Sequence, residues 1–358
     1  MIPSPTEAAT GGRLTPTAGK TMYHQLYRGR DEPVLDPGLP IIDAQHHLFV
    51  RPGIRYLLDD YLTDAASGHH IVASVYVEAR SFYRTDGPEL LRPLGEVEFA
   101  NGAGAMAASG TLGPQRAAAA IVAYADLRHG DRIAAYLDQA LNRAPDRLRG
   151  IRQGTPHHPT RDLPGTAPPG ILTDPGFRAG FRHLAPRRLS FDAAVFHHQL
   201  PELAALADAF PTSTIILNHS GTAFAIDEND VDRRTVFRQW RTDLHQLAQR
   251  PNVLCKISGL GLPFWGFGFE NRTTTIGYQE LATAWTPYVE TAIDAFGPHR
   301  CMMASDYPAD SQSAGFVPLW NALKHITRNA SSEEKAALFH STASRTYRLP
   351  PGTITPSI

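Results

Sequence analysis

Eight short apolar runs, the amphipathic stretches between them and the polar residues gathered at one end of each run predict a (β/α)8 barrel over residues 38–350. The runs are IIDAQHHLF from Ile41, IVASVYVEA from Ile71, AAIVAYADL from Ala119 and LRGIRQG from Leu148. LSFDAAVF from Leu189, STIILNHSG from Ser213, NVLCKISGL from Asn252 and CMMASDYP from Cys301 complete the set. Near-continuous apolarity is the pattern of a parallel strand covered on both faces. Helical stripes lie between the runs: Ile133, Tyr136, Leu137 and Leu141; Leu200, Leu203, Leu206 and Phe210; and Leu281, Trp285, Tyr288, Val289, Ala292, Ile293 and Phe296. An open, doubly wound sheet also alternates strand and helix, but it carries a glycine-rich phosphate turn after its first strand. Here the first strand runs into His46-His47-Leu48-Phe49.

Residues 1–37 are rich in Pro, Gly, Thr and charge and lack periodicity, which predicts a tail or surface arm. Residues 351–358 form a short C-terminal tail. Composition bounds the function. The chain has 358 residues, 42% hydrophobic and 19% charged, with a net charge of −1. No basic field is present to hold nucleic acid or an anionic membrane. No apolar run is long enough to span a bilayer. Two cysteines, Cys255 and Cys301, cannot build a disulfide framework and are expected as buried free thiols. With no signal-peptide pattern at the start, a cytoplasmic location is the expectation. The expected partner is a small-molecule substrate, with a homodimer as the expected assembly.

In a (β/α)8 barrel, catalytic groups come from the C-terminal ends of the strands. The first run ends in Asp43-Ala44-Gln45-His46-His47 and the second in Glu78. The fourth ends in Arg152-Gln153, followed by His157-His158, and the fifth leads into His197-His198. Asn218-His219, Lys256 and Asp306 close the last three. Strict alternation places Asp43, Gln45 and His47 on the inward face, with Ile42, Ala44, His46 and Leu48 toward the helices. The same rule groups Ile215 and Leu217 with His219, and Met302 and Ala304 with Asp306. Asp43 reads as a structural group deep in its strand rather than a catalyst. His69-His70 precedes the second strand and falls at the wrong end of the barrel.

Taken in order, IIDAQHHLF, RGIRQG, IILNHSG, CKISGLG, RCMMASDYP and AALFHSTASRTYRL resemble the amidohydrolase superfamily. Within it they are most similar to the amidohydrolase-2 group that holds sugar lactonases and 2-pyrone-4,6-dicarboxylate lactonase. The resemblance spans residues 40–349. It implies a His-x-His on the first strand, a His on the sixth and an Asp on the eighth. His47, His219 and Asp306 match; Gln45 stands where the first His belongs. Those three could hold one metal. An amide oxygen is a poor zinc ligand, so a metal-free site is the expectation and a single Zn or Mn ion the alternative.

The resemblance implies hydrolysis of a lactone, or a related cyclic ester or amide, that bears a carboxylate. Asp306 is then the base that activates water, its pKa raised by burial, with His47 and His219 polarising the carbonyl. Arg152 is expected to clamp a substrate carboxylate and Lys256 to add positive charge near the oxyanion. Gln45, Glu78 and His157 are further substrate contacts. Trp265 and Phe267, in the loop after the seventh run, are expected to roof the pocket. The bland alternatives are satisfied core histidines, structural ion pairs for Lys256 and Arg152, and an oligomer contact for the aromatic loop. Two other functions compete: a non-oxidative decarboxylase of an aromatic or unsaturated acid, and a ligand-binding barrel without catalysis.

Overall fold

The eight apolar runs lie side by side as parallel strands, in sequence order around a barrel. They are β1 (Ile41–His46), β2 (Ile71–Val77), β3 (Arg116–Tyr124), β4 (Leu148–Gly154), β5 (Ser190–Ala194), β6 (Ile215–Leu217), β7 (Val253–Ile257) and β8 (Cys301–Met303). The computed structural model describes residues 32–350 and 352, apart from 162, 164–166 and 227–229. The barrel closes where its last strand meets its first. Asp306 N donates to Gln45 O at 2.9 Å and His47 N to Tyr307 O at 2.7 Å.

Between β1 and β2 comes a small hairpin, Phe49–Arg51 with Ile54–Tyr56, and helix α1 (Leu58–Ala65). Helices α2 (Leu94–Ala108), α3 (Ile133–Arg143), α4 (Pro175–Phe181), α5 (Leu200–Ala209), α6 (Asp230–Ala248) and α7 (Tyr278–Phe296) link the later strands, and α8 (Phe316–Ile326) follows β8. No helix among the described residues is long and apolar enough to cross a membrane.

Two apolar layers result. The outer one lies between strands and helices and takes the expected stripes: Ile133, Tyr136 and Leu137, then Leu281, Trp285 and Val289, all buried. Cys255 and Cys301, free and buried, belong to it. The inner layer fills the barrel with Ile42, Ala44, Ala73, Val75, Val77, Ala120, Val122, Ile216, Met302 and Ala304. Ala343, Tyr347 and Leu349, from the end of the chain, plug it.

This layering corrects the expected faces of β1. The register with β2 is irregular between Asp43 and His46, so the alternation slips within the strand. Ile42 and Ala44 point into the barrel. Asp43 faces outward, taking hydrogen bonds from Tyr61 Oη at 3.1 Å, Ser305 N at 2.8 Å and Ser305 Oγ at 2.6 Å. His46 stacks on Tyr61, ring centroids 4.0 Å apart. Only after the slip do Gln45 and His47 turn inward. In β6, too, Ile216 faces inward while Ile215 and Leu217 join the outer layer.

At the opposite end from the site, part of the expected N-terminal arm is fixed to α8. Asn321 Nδ2 donates to Pro33 O at 3.0 Å, and Lys324 Nζ to Leu35 O at 2.9 Å and Asp36 O at 2.8 Å. His69 Nδ1 lies 3.0 Å from the same Nζ, away from the mouth as expected. Residues 1–31, and all of 351–358 except Gly352, lie outside the described residues.

Candidate active site

His47, His219 and Asp306 converge where β1, β6 and β8 end. Left-handed backbone puts two of them there. Asp306 has φ 54°, and His219 and Ser220, with φ 52° and 49°, swing the chain out of β6. That turn brings His219 into the site although Ile215 and Leu217 face outward, a placement that simple alternation does not give. Gly259 makes room for the ring: a Cβ on it would lie 2.3 Å from His219 Nδ1. The same Nδ1 lies 2.9 Å from Ser258 Oγ. His47 Nδ1 lies 2.7 Å from Val77 O, which can only accept, so that nitrogen carries a proton. His47 Nε2 is 3.1 Å from Asp306 Oδ1, and His219 Nε2 is 4.0 Å from Asp306 Oδ2.

The charge states follow from the surroundings. Burial alone would raise the Asp306 pKa, as the sequence reading expected. Its neighbours His219, His47 and Arg152 outweigh burial and hold it down to about 2. Burial draws His219 down to about 4, against the pull of Asp306. At neutral pH the pair is therefore a carboxylate facing a neutral imidazole. Since His219 is then uncharged, His47 and, after it, the Arg152 cation keep Asp306 ionised once the solution is neutral.

A polar column runs beneath Asp306. Gln45 Nε2 donates to Asp306 Oδ1 at 2.5 Å, and Gln45 Oε1 accepts from Lys256 Nζ at 3.2 Å, with the Asn218 side-chain amide 3.0 Å from the same oxygen. Lys256 Nζ donates to Asp192 Oδ2 at 2.7 Å, and Tyr347 Oη to the same oxygen at 2.9 Å. Lys256 is fully buried. It lies under the site rather than at its mouth, where a substrate oxyanion would form. Asp192 and Tyr347 are not among the candidates that the sequence offers, and Asn218 stands there only beside His219 at the end of its strand. The one charge inside LSFDAAVF was a usable signal for Asp192. Tyr347 sits in a helical tail with nothing local to mark it.

Arg152 is committed as well. Its Nε donates to Glu78 Oε1 at 2.7 Å and its Nη2 to Glu78 O at 2.6 Å. Glu78 thus takes two of the five N–H groups and fixes the plane of the guanidinium. Nη1 keeps no partner among the described residues. His157 belongs to the loop after β4, with its N–H on Gln199 Oε1 at 2.9 Å and its carbonyl accepting from His198 Nε2 at 2.5 Å.

Trp265 and Phe267 do not roof the pocket. Trp265 is buried against Trp240 and Tyr288, its Nε1 donating to Gly259 O at 2.7 Å, and Phe267 stacks on Trp265. The helix layer offers those rings an aromatic box of Trp240 and Tyr288, so they leave the mouth. Phe264 turns the other way, into a cluster with Phe196 and Phe224, and His158 packs on Phe224.

Whether a divalent ion fits here depends on Gln45. Its Nε2 is 2.5 Å from Asp306 Oδ1 and 3.4 Å from His47 Nε2. An amide N–H2, which is no metal ligand, thus occupies the angle that an ion bridging these two groups would need. Among the described residues no three His, Cys, Asp or Glu are arranged to hold an ion. The donor set does not fit a zinc or manganese centre.

Residues 42–349 match the amidohydrolase family model. The chain is 35% identical over 294 residues to the uncharacterized protein y4mH of Sinorhizobium fredii, spanning 82% of this chain and 86% of that protein. It is 30% identical over 237 residues to an L-fucono-1,5-lactonase of Burkholderia multivorans, spanning 65% and 72% of the two chains. An amidohydrolase from Burkholderia multivorans, crystallised with bound zinc, superposes with a TM-score of 0.65 at 25% identity, covering 87% of this chain and 99% of that one. With its eight-stranded barrel and this match over nearly the whole described chain, the protein belongs to the amidohydrolase family and is a hydrolase.

Proposed function

We propose that this hydrolase opens a lactone or related cyclic ester by attack of a water molecule activated on Asp306. One observation carries the reading. The side-chain contacts from His47 and Gln45 to Asp306 both engage Oδ1, while Oδ2 faces His219 Nε2 across 4.0 Å. A water in that gap can touch both atoms. As its oxygen bonds to the lactone carbonyl carbon, its proton passes to Asp306 Oδ2. When the ring C–O bond breaks, the same proton goes to the leaving alkoxide, giving a hydroxy acid. With the Ser258 hydroxyl donating to Nδ1, His219 presents Nε2–H to the developing oxyanion. The fucono-lactonase name of a 30% identical relative supports the substrate class.

A panel of hydroxylated sugar lactones, followed by acid release at neutral pH, tests the reading. Asp306→Asn should lower kcat by about 1000-fold on any lactone the protein opens. Wild-type turnover in that variant would remove Asp306 as the base. A panel left untouched by the wild type would remove the lactone.

A further inference from the structure

We propose that Lys256 is a positioning residue for Asp306, acting through the amide of Gln45, and that Asp192 and Tyr347 hold Lys256 in that role. The proposal rests on the reading of Asp306 as the base. The two ends of an amide are alike in shape and opposite in hydrogen-bonding sense. An ammonium group can only donate, so Lys256 Nζ at 3.2 Å fixes the oxygen end of Gln45 toward the barrel floor. The N–H2 end must then face Asp306 Oδ1, 2.5 Å away. A reversed amide would set two oxygens against each other and push the carboxylate off His47.

Lys256 is held in turn. Asp192 Oδ2 accepts from it at 2.7 Å and from Tyr347 Oη at 2.9 Å, and the Tyr347 ring lies 5.3 Å from Nζ. Lys256, Asp192, Gln45 and Tyr347 are all 0% exposed, so no solvent can take over a lost hydrogen bond. A buried ion pair is seldom more stabilising than apolar side chains of the same volume. Apolar residues fill the rest of the barrel interior, from Ile42 to Met302. The ion pair is explained by what it aims, since filling that space needs no charge.

Two readouts test this on the full chain. The first needs no turnover. With glutamine side chains labelled with 15N, the Gln45 amide pair is assigned by its loss in Gln45→Leu. It should sit downfield and resist exchange in the wild type, and lose both properties in Lys256→Met. The second is kinetic: Lys256→Met should lower kcat by about 100-fold with KM little changed. The Gln45→Leu, Lys256→Met double variant should be no worse than the poorer single variant. If the lone Asp192 charge prevents Lys256→Met from folding, Lys256→Met with Asp192→Asn removes both charges, and Tyr347→Phe should give a milder effect in the same direction. An unchanged Gln45 amide in either lysine variant would overturn the proposal, as would additive losses in the double variant. Failure of the wild type to open lactones would leave the amide spectrum to decide alone.

Discussion

Gly259 faces the His219 imidazole so closely that a Cβ there would stand 2.3 Å from Nδ1, and its φ of 66° is one that side-chain-bearing residues rarely adopt. Gly259→Ala therefore displaces the imidazole as well as straining the backbone, which alone costs about 1–2 kcal/mol. The expected result is a kcat lowered by about 100-fold with a modest fall in Tm. A crystal structure of the variant would show the ring moved off Ser258 Oγ. Normal turnover would mean that His219 is not held by this contact.

Phe264 and Trp265 are neighbours with opposite duties. Trp265→Ala opens the aromatic box of Trp240 and Tyr288 and should cost about 3–5 kcal/mol in a denaturant titration, with KM unchanged for the protein that folds. Phe264→Ala should spare stability and raise KM. The reverse pattern would restore Trp265 to the pocket.

Acid sensitivity has two opposed sources. His69, His197 and His219 are held down at about 3, 4 and 4, chiefly by burial. The unfolded chain protonates them first, from about pH 6.5 downward. The stability they give by staying neutral is therefore present above that pH and lost as pH falls toward 4. Asp43, pushed up to about 6 by burial, and Glu96, raised to about 7 by burial and Glu78, act the other way. Their contribution is full below the unfolded carboxyl range and is lost as pH rises through those values. Asp43→Asn should lower stability, because an N–H2 then meets donors from Ser305 and Tyr61, by about 1–3 kcal/mol. It should also steepen the rise of stability between about pH 4 and 6, by close to one proton. Urea midpoints across that range test both; parallel profiles would rule out the raised Asp43.

Chelation tests the place of Gln45. With an amide N–H2 on Asp306, lactone turnover should survive prolonged dialysis against a strong chelator. Activity lost on dialysis and restored by zinc would mean that Gln45 turns its oxygen to the site. The Burkholderia multivorans relative crystallised with zinc makes that comparison worth running side by side.

The strands were legible because a parallel barrel strand is apolar on both faces, so IVASVYV and VLCKI announce themselves. The end-of-strand rule also located His47, His219 and Asp306. What alternation could not supply was phase. A register slip after Asp43 leaves Ile42 and Ala44 inward and Asp43 outward while Gln45 and His47 keep the expected face, and left-handed backbone at His219 overrides the facing of β6. Both are tertiary outcomes with no local mark. Trp265 went astray for a related reason: a large ring in a loop can line a pocket or finish a core, and packing against Tyr288, over twenty residues away, decides.

The seam of the barrel has a consequence for how this protein acquires activity. Gln45 and His47 on one side, Asp306 and Tyr307 on the other, exchange the backbone hydrogen bonds that join first strand to last. These are also the residues around the reacting carboxylate. A chain with seven strands in place and the ring still open would lack the backbone bond that seats Asp306 beside Gln45. Catalytic competence should thus arrive with ring closure, after most secondary structure has formed. During refolding, recovered turnover then becomes a clock for the joining of the two ends, where circular dichroism registers only the helices and strands already made.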